Sequence, residues 1–230
     1  MKRCLFAVLL AAALAVPVFA SEKGKSELNL KLGIIPSPDL TAQGNDIVSA
    51  VSGVALKGNS INTHSINNGI GASGKTGFVA GLDYFYYLQN NSGVGLGLNR
   101  AFPVEYVNGD IAKIDSTNIY LTAKRKVKVE SFLDAIYFVG RLGYGINNAD
   151  SSIDKMLGMP SVTIDVSIDN GLYWALGIGF EKDCILLEFV YSVNYSKLNV
   201  DINAGGDKIS ASSDITVSAI GINVGYKFEL

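Results

Sequence analysis

The feature that most constrains this chain is a strict alternation of large apolar residues with small or charged ones. In residues 220–230, the even positions are apolar, as at Ile220, Val224 and Phe228, while the odd positions are small, polar or charged, as at Gly221. A period of two is that of a β-strand, whose successive side chains point to opposite faces. Eight segments share the pattern: 27–34, 77–88, 93–100, 117–127, 135–146, 172–181, 184–195 and 220–230. Each is close to the ~9–11 residues that a tilted strand needs to cross a bilayer.

The links between these segments alternate in length along the chain. The odd links are long, and the even links are short: 35–76, 101–116, 147–170 and 199–213 against 89–92, 127–134 and 181–184. Antiparallel neighbours place all odd links at one end of a sheet and all even links at the other. Short turns at one end and long loops at the other are typical of outer-membrane barrels, with the turns in the periplasm. We therefore expect both chain termini on the periplasmic side.

The composition of the second face distinguishes a membrane barrel from a soluble one. Charged residues make up only 17% of the chain, against about 25% in ordinary soluble domains, and glycine accounts for 25 residues. The second face, largely Gly, Ala, Ser and Asn, would be a poor solvated surface but suits the lining of a narrow tube. These features predict an all-β fold, an eight-stranded antiparallel up-and-down transmembrane β-barrel with its apolar face toward lipid.

Aromatic residues are expected in two belts at the membrane interfaces. If the first strand rises from the periplasm, one belt lies near the periplasmic edge and another near the external edge. The predicted belt residues are Tyr84, Tyr86, Phe138, Phe180, Tyr226 and Phe228 at the first edge and Trp174 at the second.

The first 20 residues are expected to be a secretory signal peptide. They combine Lys2 and Arg3 with an apolar run and end on small residues, which predicts cleavage before Ser21. The barrel domain would then be residues 21–230, with 17 basic against 21 acidic residues. Because the chain has no basic domain, a nucleic-acid partner is not expected. One cysteine remains, Cys184, so an internal disulfide framework is not expected.

At this point the chain resembles the small eight-stranded outer-membrane barrels of the OmpA/OmpX-like superfamily. The resemblance rests on FVGRLGYG (138–145), WALGIGFEKDCILLEFVYSV (174–193) and GYKFEL (225–230). It implies the outer membrane of a double-membraned, Gram-negative-type bacterium as the location, and outer-membrane lipids as partners. It also implies recognition of the C-terminal strand by the barrel-assembly machinery. Such proteins usually end on an aromatic residue, whereas this chain ends on Leu230.

Several charged residues fall on the interior face of the predicted strands. Charges in so narrow a space must pair, because burial of a single charge is costly. The expected interior polar network is Lys31, Asp83, Arg141, Glu188, Lys227 and Glu229, together with Glu181. Such a network is either a plug that stiffens the barrel or a gate in a narrow conduit. The basic residues Lys124, Arg125, Lys126 and Lys128 cluster at the periplasmic end of the fourth segment, where we expect them to contact lipid headgroups or periplasmic polymers.

These observations favour a non-enzymatic barrel that serves envelope structure or surface interaction through its extracellular loops. The alternative is a narrow, gated, porin-like channel for small solutes, and a lipid-modifying enzyme is the third hypothesis. An enzyme of that kind usually needs a histidine base, and the only histidine, His64, lies in a polar loop segment. No motif predicts a cofactor or a metal, since GASGK (71–75) lacks the full spacing of a phosphate loop. An extracellular ligand would bind through the loops.

Overall fold

The computed structural model describes residues 24–43, 70–73, 76–106, 112–129, 132–150, 162–204 and 207–230. The described residues form eleven strands in one antiparallel sheet. No helix among them is long and apolar enough to cross a membrane. The strands are β1 (Ser26–Ile35), β2 (Asp39–Gln43), β3 (Ile70–Ser73), β4 (Gly77–Gln89), β5 (Ser92–Tyr106), β6 (Ala112–Lys128), β7 (Ala135–Asp150), β8 (Val162–Ile168), β9 (Gly171–Lys182), β10 (Ile185–Ala204) and β11 (Asp207–Glu229). The predicted signal peptide and His64 lie outside the described residues.

Eight of these strands close into a ring. The order around the ring is β1–β4–β5–β6–β7–β9–β10–β11, and β11 returns to pair with β1. At the closure, Leu28 faces Phe228 and Leu30 faces Tyr226 across the strands. Every predicted segment overlaps one ring strand, so the prediction of an eight-stranded antiparallel barrel is confirmed. Closure leaves no strand edge in the ring, and a bilayer would not tolerate an unpaired edge.

The three strands outside the ring extend its wall beyond the membrane-spanning part. β2 pairs with Asp214–Ser218 of β11, β3 pairs with β2, and β8 pairs with Leu198–Ala204 of β10. β10 and β11 stay paired from Ile185↔Tyr226 to Ala204↔Asp207. The prediction that residues 199–213 form a loop is therefore wrong. Outside hydrocarbon the outward residues are Ser, Asn, Asp and Lys, and the apolar residues, such as Leu198 and Val200, face inward, so the alternation of the membrane-spanning strands is inverted here.

The two ends of the barrel differ. One end, here called the turn end, carries the β4–β5, β6–β7 and β9–β10 connections and the chain's last residue. Two of these turns contain a residue with positive φ, Asn91 (67°) and Asp183 (54°), and Asn and Asp tolerate that conformation better than most residues. The opposite end, here called the loop end, carries the longer connections and the strand extensions.

The outer face of the ring is a continuous apolar surface. Exposed fractions reach 70% at Leu32, 66% at Leu121 and 63% at Phe78, an area of exposed hydrocarbon that only a lipid environment accommodates. All seven predicted belt residues lie on this face. Tyr84, Tyr86, Tyr226 and Phe228 lie together at the turn end on β4 and β11, which flank β1, with Phe138 and Phe180 further around it, and Trp174 lies toward the loop end.

Candidate functional site in the barrel interior

Interior glycines make room for large interior side chains. A Cβ atom at Gly97 would overlap the ring of Tyr120, and one at Gly179 would overlap the ring of Tyr137. Both rings are buried, as are Phe85 and Tyr87. In the sequence pattern Phe85 and Tyr87 are irregularities, because both are large and fall on the otherwise small and polar face of their segment. In the structure they fill the bore, which the small residues around them leave wide enough.

Four charged side chains from four strands form a layer across the middle of the bore, here called the middle layer. Lys31 donates to Asp83 and lies 3.4 Å from a Glu188 oxygen. Arg141 lies across the ring from Lys31 and donates to Glu188 at 2.7 and 2.9 Å and to Asp83 at 3.1 Å. No side chain of the four is more than 6% exposed. Two cations therefore share two carboxylates and bridge the bore from wall to wall.

Neutral groups complete the middle layer. The Tyr120 hydroxyl donates to Asp83 Oδ1 at 2.7 Å, and Asn223 Nδ2 donates to Glu188 Oε1 at 3.2 Å. Buried charges are stable only when their remaining hydrogen-bonding capacity is also used. The layer meets that condition at both carboxylates.

A second charged layer, here called the turn-end layer, lies below the middle one. Lys124 and Lys126 of β6 donate to the two oxygens of Glu27 at 2.5 and 2.7 Å. Glu181 Oε1 accepts hydrogen bonds from Lys126 Nζ at 3.2 Å and from Lys227 Nζ at 2.5 Å. The interpretation of Lys124 and Lys126 as headgroup contacts is therefore wrong, since they are only 2% and 3% exposed.

The sequence contained the signal for this correction. The alternation in β6 already placed Lys124 and Lys126 on the inward side, in register with Asn118, Tyr120 and Thr122. The run of neighbouring positive charges obscured it. Glu27 was missed because it precedes the first apolar residue of its segment. Glu229, predicted inside, instead lies at the rim with its side chain 62% exposed, where it pairs with Lys227 at 2.9 Å.

Toward the loop end the interior carries amides and hydroxyls in place of charges. Asn118 Nδ2 donates to Asn99 Oδ1 at 2.8 Å, and Asn99 Nδ2 donates to the Tyr173 hydroxyl at 3.2 Å. Asn194 Nδ2 donates to Asn147 Oδ1 at 2.9 Å. Beyond this amide layer lies an apolar cluster of buried residues from four different strands, Leu40, Ile114, Ile168 and Ile215.

The chemistry of the described interior is that of paired charges and hydrogen-bonded amides. Among the described residues, no group of three or more His, Cys, Asp or Glu side chains could hold a metal ion. Cys184 is a free thiol in the β9–β10 turn, half-buried at the turn end.

A closed eight-stranded ring with an apolar exterior and an ion-paired interior defines a transmembrane β-barrel. The chain belongs to the family of the outer membrane protein beta-barrel domain, whose model matches residues 6–228. The protein is therefore an outer-membrane protein.

Solved structures of outer-membrane proteins are similar to this chain at low identity. OprG from Pseudomonas aeruginosa is 16% identical, with 91% of this chain and 98% of that chain covered and a TM-score of 0.49. AlkL is 12% identical, with 94% and 96% covered and a TM-score of 0.49. Neisserial surface protein A is 14% identical, with 88% and 97% covered and a TM-score of 0.44. No curated protein matches the chain.

Proposed function

We propose that this protein is a non-enzymatic outer-membrane barrel, closed to solutes, that presents its loop-end extension at the cell surface. The observation that carries the proposal is the middle layer. Lys31 and Arg141, on opposite sides of the ring, both bind Asp83 and Glu188, so ion pairs occupy the full width of the bore.

Opening such a bore would require separating these buried ion pairs. Leaving one buried partner uncompensated typically costs about 3–5 kcal/mol. A conducting state would have to separate pairs in the turn-end layer as well, where Glu27 is held by two lysines at once. The energetic cost of disrupting both layers favours a plug over a gate.

The strand extensions support the surface role. Beyond Tyr195, β10 continues for nine further residues, or about 30 Å at roughly 3.4 Å per residue. The outward side chains of the extended parts of β8, β10 and β11 are polar and exposed, including Asp165, Lys197, Asn203 and Lys208. We infer that this wall stands outside the membrane and contacts extracellular molecules, with outer-membrane lipids around the ring below it.

The last strand also supports assembly by the barrel-assembly machinery. β11 pairs with β1 along its whole membrane part, and Leu230 N–H donates to the Ser26 carbonyl at 3.0 Å. We propose that the machinery recognises β11 before this closure forms. Replacement Leu230→Phe restores the usual aromatic ending and should raise the rate of membrane insertion in an assembly assay, whereas an unchanged rate would argue against recognition at this residue.

Planar-bilayer recording tests the closed barrel. The wild-type protein should give no sustained conductance, because ion pairs bridge the bore. The variant Lys31→Ala/Lys124→Ala/Lys126→Ala/Arg141→Ala removes cations from both charged layers and should produce measurable steps. Arg100→Ala is the matched control, since its pair with Asp115 lies on the outer face with the arginine 56% exposed. Steady conductance from the wild type would instead establish the narrow channel.

Mass spectrometry of lipid A and phospholipids tests the non-enzymatic part. Cells with and without the protein should contain identical lipid species. A lipid modified only in its presence, and lost in His64→Ala, would assign a lipid-modifying activity and overturn the proposal.

A further inference from the structure

A partly enclosed cavity of about 70 Å³ lies inside the barrel toward the loop end. Its walls come from two chemically different groups of residues. One group is apolar and includes Ile114, Ile168 and Ile215 of the apolar cluster; the other is polar and includes Asn147 and Asn194 of the amide layer. The cavity is therefore amphipathic, with a hydrocarbon wall and a hydrogen-bonding wall.

One buried acceptor on the polar wall has no partner. Asn194 is 8% exposed, and its Nδ2 donates to Asn147 Oδ1 at 2.9 Å. Its Oδ1 accepts no hydrogen bond from any described residue. An unpaired buried acceptor is unfavourable, so the site favours an occupant that brings a hydrogen-bond donor.

The lining restricts the charge of that occupant. Every described residue that lines the cavity is uncharged. An ammonium or carboxylate group would lose its hydration there without gaining an ion partner, which is strongly unfavourable. A neutral hydroxyl group supplies the donor without that penalty.

The volume restricts the size. An apolar cavity of about 150 Å³ is known to bind benzene, and this one has about half that volume. It therefore admits a short aliphatic group and excludes an aromatic ring. The isoleucine wall provides the apolar surface against which methylene groups pack.

We propose that this cavity binds the hydroxyl end of a neutral aliphatic alcohol. The hydroxyl donates to Asn194 Oδ1, and the first carbons pack against Ile114, Ile168 and Ile215. This site is distinct from the two charged layers and requires no passage through the bore, so it stands whether or not the barrel conducts.

The test is an NMR titration of the full-length protein, refolded in detergent micelles, with 1-propanol. The readout is the side-chain amide signal of Asn194, assigned by its loss in Asn194→Ser. We expect a saturable shift with 1-propanol. Methyl ethyl ether, an isomer that lacks the O–H donor, and propylammonium should each bind at least tenfold more weakly.

Two variants separate binding in the cavity from general solvent effects. Ala219→Leu fills the cavity from an inward, buried position and should weaken 1-propanol binding at least tenfold. Ile220→Leu changes the adjacent residue, which is outward and 61% exposed, and should bind like the wild type. If Ala219→Leu does not fold, as judged by heat-modifiable gel migration, Ala101→Val fills the same cavity from β5.

Three results would overturn the proposal. A shift that grows linearly without saturation means that the cavity holds only water. Equal binding of methyl ethyl ether means that Asn194 Oδ1 is not the recognition group. Unchanged binding in the filled variants means that the alcohol binds elsewhere.

Discussion

The two halves of the barrel interior are filled by different means. From the turn end to the middle, the bore holds buried charges that pair across strands, as in Lys124 with Glu27 and Arg141 with Glu188. Toward the loop end it holds amides, an apolar cluster and a cavity. The charged half is bound from wall to wall by strong electrostatic contacts, whereas the loop-end half depends on packing and contains a partly enclosed cavity. The charged half is thus suited to rigidity, and the loop-end half to binding.

This contrast predicts the largest stability effect in the middle layer. Arg141→Ala leaves Asp83 and Glu188 with Lys31 as their only cation and should lower the free energy of unfolding by about 3–5 kcal/mol. Denaturant unfolding in detergent micelles measures the change. The control Arg100→Ala removes an exposed pair and should cost about 0–1 kcal/mol. Similar losses for both variants would mean that the middle layer does not stabilise the charged half.

A smaller effect is expected where a glycine accommodates an aromatic ring of the charged half. Gly179→Ala places a methyl group against the ring of Tyr137 and should destabilise the barrel by about 1–3 kcal/mol. Gly221→Ala is the matched control, because the nearest atom to its new Cβ is 3.7 Å away. The same unfolding measurement applies, and Gly179→Ala should cost much less in a Tyr137→Leu background, because the ring that the new methyl group meets is gone. An equal cost in both backgrounds would show that the strain does not come from this ring.

Packing in the loop-end half should give a smaller and more local effect. Ile215→Val removes one methylene group from the apolar cluster and should cost about 0.5–1.5 kcal/mol. Amide hydrogen exchange should rise in β8 and in the extended parts of β10 and β11, while the β1–β11 closure stays protected. Exchange that rises equally in both halves would show that they unfold as one unit.

The sequence predicted the ring because its information lies in the lipid-facing residues. Leu30, Tyr226 and Phe228 must be apolar wherever the wall meets hydrocarbon, so the period of two is unbroken there. It did not predict the extension of β10 and β11, because the apolar residues there, such as Leu198 and Val200, face inward and no longer continue the lipid-facing set.

The interior was predictable only in part. Register alone places Lys31, Asp83, Arg141 and Glu188 inside, because side-chain direction follows from odd or even numbering. The shear of the ring determines which interior charges lie close enough to pair. The shear is a property of the whole ring and cannot be read from the sequence of one strand. Glu27 thus meets Lys124, 97 positions away in sequence. The cavity depends on the combined volume of side chains from many strands and leaves no local pattern.

The smallest expected effect distinguishes the two rims by pH. At the turn end, Asp134 accepts hydrogen bonds from the Asp183 N–H at 2.5 Å and from Lys182 at 3.1 Å, and these lower the pKa of its carboxyl group. At the loop end, the Ser210 hydroxyl and Lys208 lower the pKa of Asp201. Asp134 joins two separate turns, whereas Asp201 is bonded within the single β10–β11 hairpin.

These contacts stabilise the charged form of each carboxyl group, which is why its pKa is lowered. The stabilisation from each contact is therefore fully present above the ordinary aspartate pKa, about 4. Each is lost as the pH falls through the folded-state pKa. Acidification below about pH 4 should therefore lower the protection of the Asp183 amide, measured against the intrinsic exchange rate at each pH, and loosen the β6–β7 turn from the β9–β10 turn, while at the loop end it changes only the β10–β11 hairpin itself. Proton NMR over a pH series measures both rims, and Asp134→Asn should remove the pH dependence at the turn end alone. If the Asp183 amide is equally protected in the wild type and in Asp134→Asn at every pH, the Asp134 carboxylate does not hold the two turns together.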